Sequence, residues 1–200
     1  MTNTTNFELN PTVFTAEYIS THLLPVIKKP SNDDTLVKEP FLDLELTFKV
    51  ILKDSDTGLT TYRLTKSLAD GLHMDIEYLK NCARLNNFNK LTCQSMSDIF
   101  GFPGAMDDMY VLSNQSRNLG AGTAFLCTRP LQELCRKWGT DTLVIIPSNI
   151  HELICIRANI ADAEFINQMI KDVNEGVVSE REQLSDHHYI YHADTDTFSC

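Results

Sequence analysis

The sequence has no CxxC pair among its six cysteines, no apolar run of bilayer length, no basic-then-apolar leader and no internal repeat. Each absence removes a class. Cysteines scattered at 82, 93, 127, 135, 155 and 200 provide neither a metal-finger spacing nor a disulfide framework. Without an export signal they read as six free thiols, mostly small core residues. The longest apolar runs, such as 143–147, fall far short of the ~20 residues a membrane helix needs. The polar start MTNTTNFELN is no signal peptide, so the expected compartment is the cytoplasm, where the Asn3 and Asn114 sequons carry no meaning.

Basic residues are also scarce: 17 against 27 acids, a net charge of −10. The imbalance is local. Residues 1–109 hold 15 acids and 10 bases, residues 110–158 hold 3 and 5, and residues 159–200 hold 9 and 2. A nearly neutral centre followed by a segment of net −7 argues against direct binding to nucleic-acid phosphates. What is present is ordinary for a globular protein: 42% apolar and 22% charged residues. At 200 residues the chain buries a core without metals or disulfides, as one large domain or two small ones.

The densest run of structural signals is 110–158. Tyr110 to Leu112 reads as a short strand, and Asn118 to Gly122 as a bend into a second strand over 123–127. Pro130 opens a helix whose Leu131, Leu134, Cys135 and Trp138 share one face, and Gly139 ends it. The apolar run 143–146 is a central strand. Pro147-Ser148-Asn149 turn it into an antiparallel neighbour at 153–156.

Upstream, residues 1–10 read as a loose tail. Thr15 caps a helix carried through Leu24 that Pro25 kinks or ends. Positions 42–52 alternate as a strand, turned by Asp54 to Gly58 into a hairpin with 59–64. Helices follow at 66–72, after Asp75 (Ile76, Leu79, Ala83 and Leu85 inward) and at 95–100. Gly101-Phe102-Pro103-Gly104 marks the division between subregions 1–104 and 105–200. Downstream, Asp162 caps a helix with Phe165, Ile166, Met169, Ile170 and Val173 inward, and 188–192 is a last, edge strand before an acidic tail. The expected class is α+β: a mainly antiparallel sheet from 110–158 plus the C-terminal strand, covered by helices, with an N-terminal helix, β-hairpin and helical subregion.

No catalytic signature is complete. Ile150-His151-Glu152 opens like HExxH, but the fifth position is Cys155 and the segment is a strand. Gly120-Ala121-Gly122 lacks both the Walker lysine and the G-x-G-x-x-G spacing. Ser148 lacks a G-x-S-x-G elbow. Cys135, beside Arg136-Lys137, lies on the buried helix face and reads as core. His188 and His192 share a strand face and form the alternative metal pair, with Asp186, Asp194 or Cys200 to complete it; no metal or cofactor is expected. The candidate functional turn is Ser148, Asn149, His151 and Glu152, because loop residues at strand ends are common active-site positions.

The blocks MYVLSN (109–114), Gly120-Ala121, Ile145 to Ser148, Ile150-His151-Glu152 and Leu184-Ser185-Asp186 with Tyr189 and Tyr191 occur in an order that resembles a family of uncharacterised proteins from Gram-positive, gut-type bacteria. The resemblance covers roughly 14–195. It implies a bacterial cytosolic setting and members often longer at the N-terminus, and supplies no site to carry over. The leading expectation is a non-catalytic protein-interaction or regulatory module whose partner is another protein, without membrane or direct nucleic-acid binding. The alternatives are an acidic inhibitor of a nucleic-acid-binding defence protein and a hydrolase-like enzyme using Ser148, His151 and Glu152.

Overall fold

A computed structural model describes residues 14–55, 58–104, 106–158 and 162–200. The tail at 1–10 and the Asp56-Thr57 turn lie outside the described residues. Two antiparallel sheets face a shared core. The smaller holds β1 (Leu23–Lys28), β2 (Lys38–Phe41), β3 (Leu44–Ser55) and β4 (Gly58–Arg63). β1 pairs with one side of β3, while β2 and β4 share the other, opposite 44–47 and 49–55. The larger sheet runs β10-β9-β7-β8-β6-β5, from β5 (Leu91–Ser95), β6 (Met109–Asn114), β7 (Thr142–Asn149), β8 (Glu152–Arg157), β9 (Tyr189–His192) and β10 (Thr197–Ser199). The α+β class with antiparallel sheets is therefore as the sequence indicates.

The expected apolar face of β3 is present in Leu44, Leu46, Phe48 and Val50, but Glu45 and Thr47 opposite them are buried as well, and Leu42 lies outside the strand and is exposed. Runs 143–146 and 153–156 are antiparallel partners, with Leu143 opposite Arg157 and Ile146 opposite Ile154. Both faces of β7 are covered, which is why its apolar run is continuous rather than alternating. Leu143 and Ile145 enter the main core with Leu131, Leu134 and Cys135 of α6 (Arg129–Trp138). Val144 and Ile146 enter a second core with Ile166 and Ile170 of α7 (Ala163–Gly176).

The caps expected at Thr15, Asp75 and Asp162 are present, and Ser95 adds another. Thr15 accepts from the Tyr18 amide, Asp75 from Tyr78, Ser95 from Asp98 and Asp162 from Phe165. They start α1 (Ala16–His22), α3 (Ile76–Asn87), α4 (Met96–Phe100) and α7; α2 is Lys66–Gly71. Gly101 and Gly139 end α4 and α6 in the left-handed conformation.

Several expectations are corrected. Residues 123–127 are not a strand: Gly120–Leu126 form a helix, α5. Six of its seven residues, Gly120 to Phe125, are buried, so it has no polar face to betray a 3.6-residue period. α1 ends at His22, two residues short of the expected Leu24, and Pro25 sits inside β1. β1 is an edge strand, where a missing N–H is tolerated. Leu85, Phe165 and Val173 are exposed rather than inward. The chain reverses at Ile150-His151 rather than at 147–149, which belong to a bulged end of β7. β9 is not an edge: the turn through Asp196, at φ 54°, folds Thr197–Ser199 back onto it as β10, and Tyr189 and Tyr191 are fully buried.

Helix α5 packs between the sheets because its glycines let backbone meet backbone. A Cβ on Gly122 would fall 2.7 Å from the Pro25 carbonyl carbon in β1. One on Gly120 would fall 2.6 Å from both the Asn114 nitrogen in β6 and the His151 oxygen. Neither neighbour is a flexible side-chain end. We expect Gly122→Ala to cost about 1–3 kcal/mol by overpacking. Gly71→Ala, with nothing within 4 Å of the added carbon, serves as a neutral control; denaturant midpoints compare them.

In the same helix the Thr123 hydroxyl is the one buried side-chain polar atom without a hydrogen-bond partner among the described residues. Thr123→Val therefore removes an unsatisfied group at similar shape, and the denaturant midpoint should rise by an amount equivalent to about 1 kcal/mol.

Candidate functional site

The structure keeps Ser148, Asn149, His151 and Glu152 together at the β7–β8 reversal, where they bond mostly to one another and His151 also reaches the start of α5. The His151 amide donates to Asn149 Oδ1 at 2.7 Å, a side-chain turn that sets the reversal. His151 Nδ1 accepts the Leu119 amide at 3.0 Å, and the Ile150 carbonyl accepts the Ala121 amide at 3.3 Å. Both donors belong to the first turn of α5, where backbone N–H groups have no intrahelical partner. The His151 carbonyl accepts from Ser113 Oγ at 2.7 Å. With Nδ1 an acceptor, the neutral ring carries its hydrogen on Nε2, 3.5 Å from Glu182 Oε1. Ser148 Oγ reaches Glu152 Oε1 only at 3.5 Å, a weak contact. No recorded hydrogen bond joins Ser148 to His151, so a serine–histidine dyad is not assembled.

His188 and His192 are each engaged apart from the other. His188 Nδ1 lies 2.7 Å from Asn167 Oδ1 on α7, and burial together with neighbouring His187 pushes its pKa down. His192 Nε2 lies 2.8 Å from Ser199 Oγ on β10. Among the described residues the donors that come within ligand distance of one another as a group of three are Asp43, His187 and Cys200.

Sequence reasoning missed the cluster around Asp43. Asp43 Oδ2 accepts from Ser185 Oγ at 2.6 Å and Oδ1 from Tyr189 Oη at 2.5 Å. Ser185 Oγ and Tyr189 Oη lie side by side, each giving its one hydrogen to Asp43. Burial pushes the Asp43 carboxyl up, but the two hydroxyls, with help from His187, outweigh it and hold it below its ordinary range. Burial pushes the Tyr189 phenol far up, and the Asp43 contact adds to it. The donors lie more than 140 positions from the carboxylate, so no local spacing announces them.

The thiols are all free. Burial, the first cause in each case, pushes Cys93 and Cys135 up to about 11, and Cys127 and Cys155 also rise. These are inert core thiols rather than activated nucleophiles. A cleft of about 580 Å³ opens away from the β7–β8 reversal, floored by Phe41, Phe125 and Phe198. Of its rim cations, Lys80 is held by Glu39 at 2.9 Å and Glu77 at 3.0 Å, and Arg84 donates to the Leu126 carbonyl.

Two antiparallel sheets joined by a buried glycine helix define an α+β protein whose polar clusters mostly hold chain segments together. The chain belongs to the DUF5688 family, a family of unknown function, whose model matches residues 3–193. Neither a curated protein nor a solved structure matches it. No helix among the described residues is long and apolar enough to cross a membrane.

Removing the His151 ring leaves the Leu119 amide without its acceptor. His151→Ala should lower stability by about 1–3 kcal/mol, whereas Glu152→Gln should stay within about 0.5 kcal/mol of the parent. Urea denaturation of the two variants checks this; equal stability of both would return the turn to a purely functional reading.

Proposed function

We propose that the protein is a non-catalytic interaction module that docks another protein on the outer face of α7, in the cytoplasm of a bacterium. The observation that carries this reading is a line of apolar side chains spaced every fourth residue. Phe165 is 68% exposed, Met169 is half-buried, Val173 is 41% exposed and Val177, just past the helix, is 82% exposed. Single exposed apolar residues are ordinary on a protein surface; a continuous row is a recognition feature.

Its surroundings indicate the partner's chemistry. Between 162 and 182 the chain carries six acids, including Glu164, Asp172 and Glu175, against Lys171 and Arg181. A second copy would bring the same acids and be repelled. A helix with an apolar ridge and basic flanks is complementary in both respects. That description also covers a basic nucleic-acid-binding protein as the partner, the acidic-inhibitor variant of the same reading.

A photo-crosslinking amino acid at position 169, in the native host, tests it. The expected product is a single heterologous protein with a basic surface, lost in Phe165→Glu/Val173→Glu and weakened by salt. Crosslinks to a second copy, or undiminished capture by the double variant, would overturn the proposal.

A further inference from the structure

The cluster around Asp43 contains more than a structural staple requires. Asp43 lies in the two-residue loop between β2 and β3, where Phe41 pairs with Leu44. The other loop residue, Leu42, has φ 54°, a conformation that favours glycine, and its side chain is 39% exposed. An unfavourable backbone here is compensated by no burial of the leucine; what it achieves is the placement of Asp43.

Facing Asp43 is His187, whose Nε2 is 3.2 Å from Asp43 Oδ2. That distance is at the long end of the hydrogen-bond range. It matches two ligands on one tetrahedral zinc ion, where bonds of about 2.0–2.1 Å place a nitrogen and an oxygen about 3.3 Å apart. The third member is Cys200, whose Sγ lies within 4.8 Å of both other donor atoms. Its side chain is exposed.

Each ligand except the cysteine has the supporting contacts that metal ligands need. His187 Nδ1 is 3.0 Å from the His188 carbonyl, so its hydrogen sits there and the Nε2 lone pair faces Asp43 and Cys200. Nε2 is thus the nitrogen available to a metal, beside the Asp43 carboxylate. The Asp43 oxygens are in turn oriented by Ser185 and Tyr189, both buried.

We propose that Asp43, His187 and Cys200 bind a divalent ion of the zinc class. The set of one oxygen, one imidazole nitrogen and one sulfur suits zinc rather than magnesium or calcium, which take oxygen ligands. Coordination releases the Cys200 thiol proton, and three protein ligands leave a fourth position open to solvent. The ion would pin the β2–β3 loop to the chain after β10. The site is separate from the α7 face, and neither proposal depends on the other.

Equilibrium dialysis of the full-length, metal-stripped protein with zinc, and optical spectroscopy with cobalt, test it. One equivalent of zinc per chain is expected. The cobalt form should show a thiolate-to-metal charge-transfer band, absent in Cys200→Ser. His187→Gln and Cys200→Ser should each weaken zinc binding at least 10-fold, and Tyr189→Phe, which disturbs only the support of Asp43, about 10- to 100-fold. Because Cys200 is exposed, Cys200→Ser keeps the fold and separates lost binding from unfolding. His188→Gln and His192→Gln should bind zinc normally. No stoichiometric zinc, a cobalt band that survives Cys200→Ser, or loss of binding in the His188 or His192 variants would overturn the assignment.

Discussion

The contact on which the rest of the structure depends is the backbone-to-backbone approach of α5. Gly122 sits against the Pro25 carbonyl of β1, and Gly120 against β6 and the β7–β8 reversal. A seven-residue helix is too short to be stable alone, so tertiary packing has to hold it. That packing is available because nothing larger than hydrogen separates it from the strands. In return α5 joins the two sheets: Ala121, Ala124 and Phe125 lie in one core with Phe48 of β3 and Ile145 of β7. A small domain whose sheets were not bridged would have to cover each inner face separately.

The same contact explains where the polar residues of the β7–β8 reversal are used. The turn supplies a histidine nitrogen and a backbone carbonyl to two amides at the start of α5, and receives the Ser113 hydroxyl. A buried helix start without such acceptors would carry unsatisfied donors, each costing about 1–3 kcal/mol. The histidine exceeds what a solvated turn needs; it does not exceed what a turn that also caps a buried helix needs.

What was legible in the sequence follows from these constraints. β7 and β8 were readable because burial on both faces produces unbroken apolar runs a short connection apart. The side-chain caps of α1, α3 and α7 were readable because capping is a local contact, three residues long. Helix α5 was not, because burial on all sides erases its period and its glycines mimic a bend. The exposure of Phe165 and Val173 was not, because periodicity identifies a wide apolar stripe and cannot tell which half faces the core. The Asp43 cluster was invisible for another reason: Asp43 is separated by most of the chain from Ser185, His187 and Tyr189, and only the β2–β3 loop brings it to them.

The width of that stripe on α7 bears on whether its exposed half is accidental. Ile166 and Ile170 already fill the second core against Val144, Ile146 and Ile156. Phe165, Met169 and Val173 lie one residue behind them, about 100° around the helix. Turning α7 to bury the phenylalanine would lift the isoleucines out, so the fold cannot satisfy both rows with one sheet. Burying a phenylalanine contributes about 1.5–3 kcal/mol, which remains unused in the isolated chain. Asn174 donates to Asp186 Oδ1 and the Ser185 carbonyl, fixing the rotation of α7 from its far end. The helix is thus held with Phe165 and Val173 outward by contacts from the segment that also carries Ser185, His187 and Tyr189. A partner seated on the α7 face would meet a helix already positioned by these contacts, so less of the binding free energy would go into ordering it.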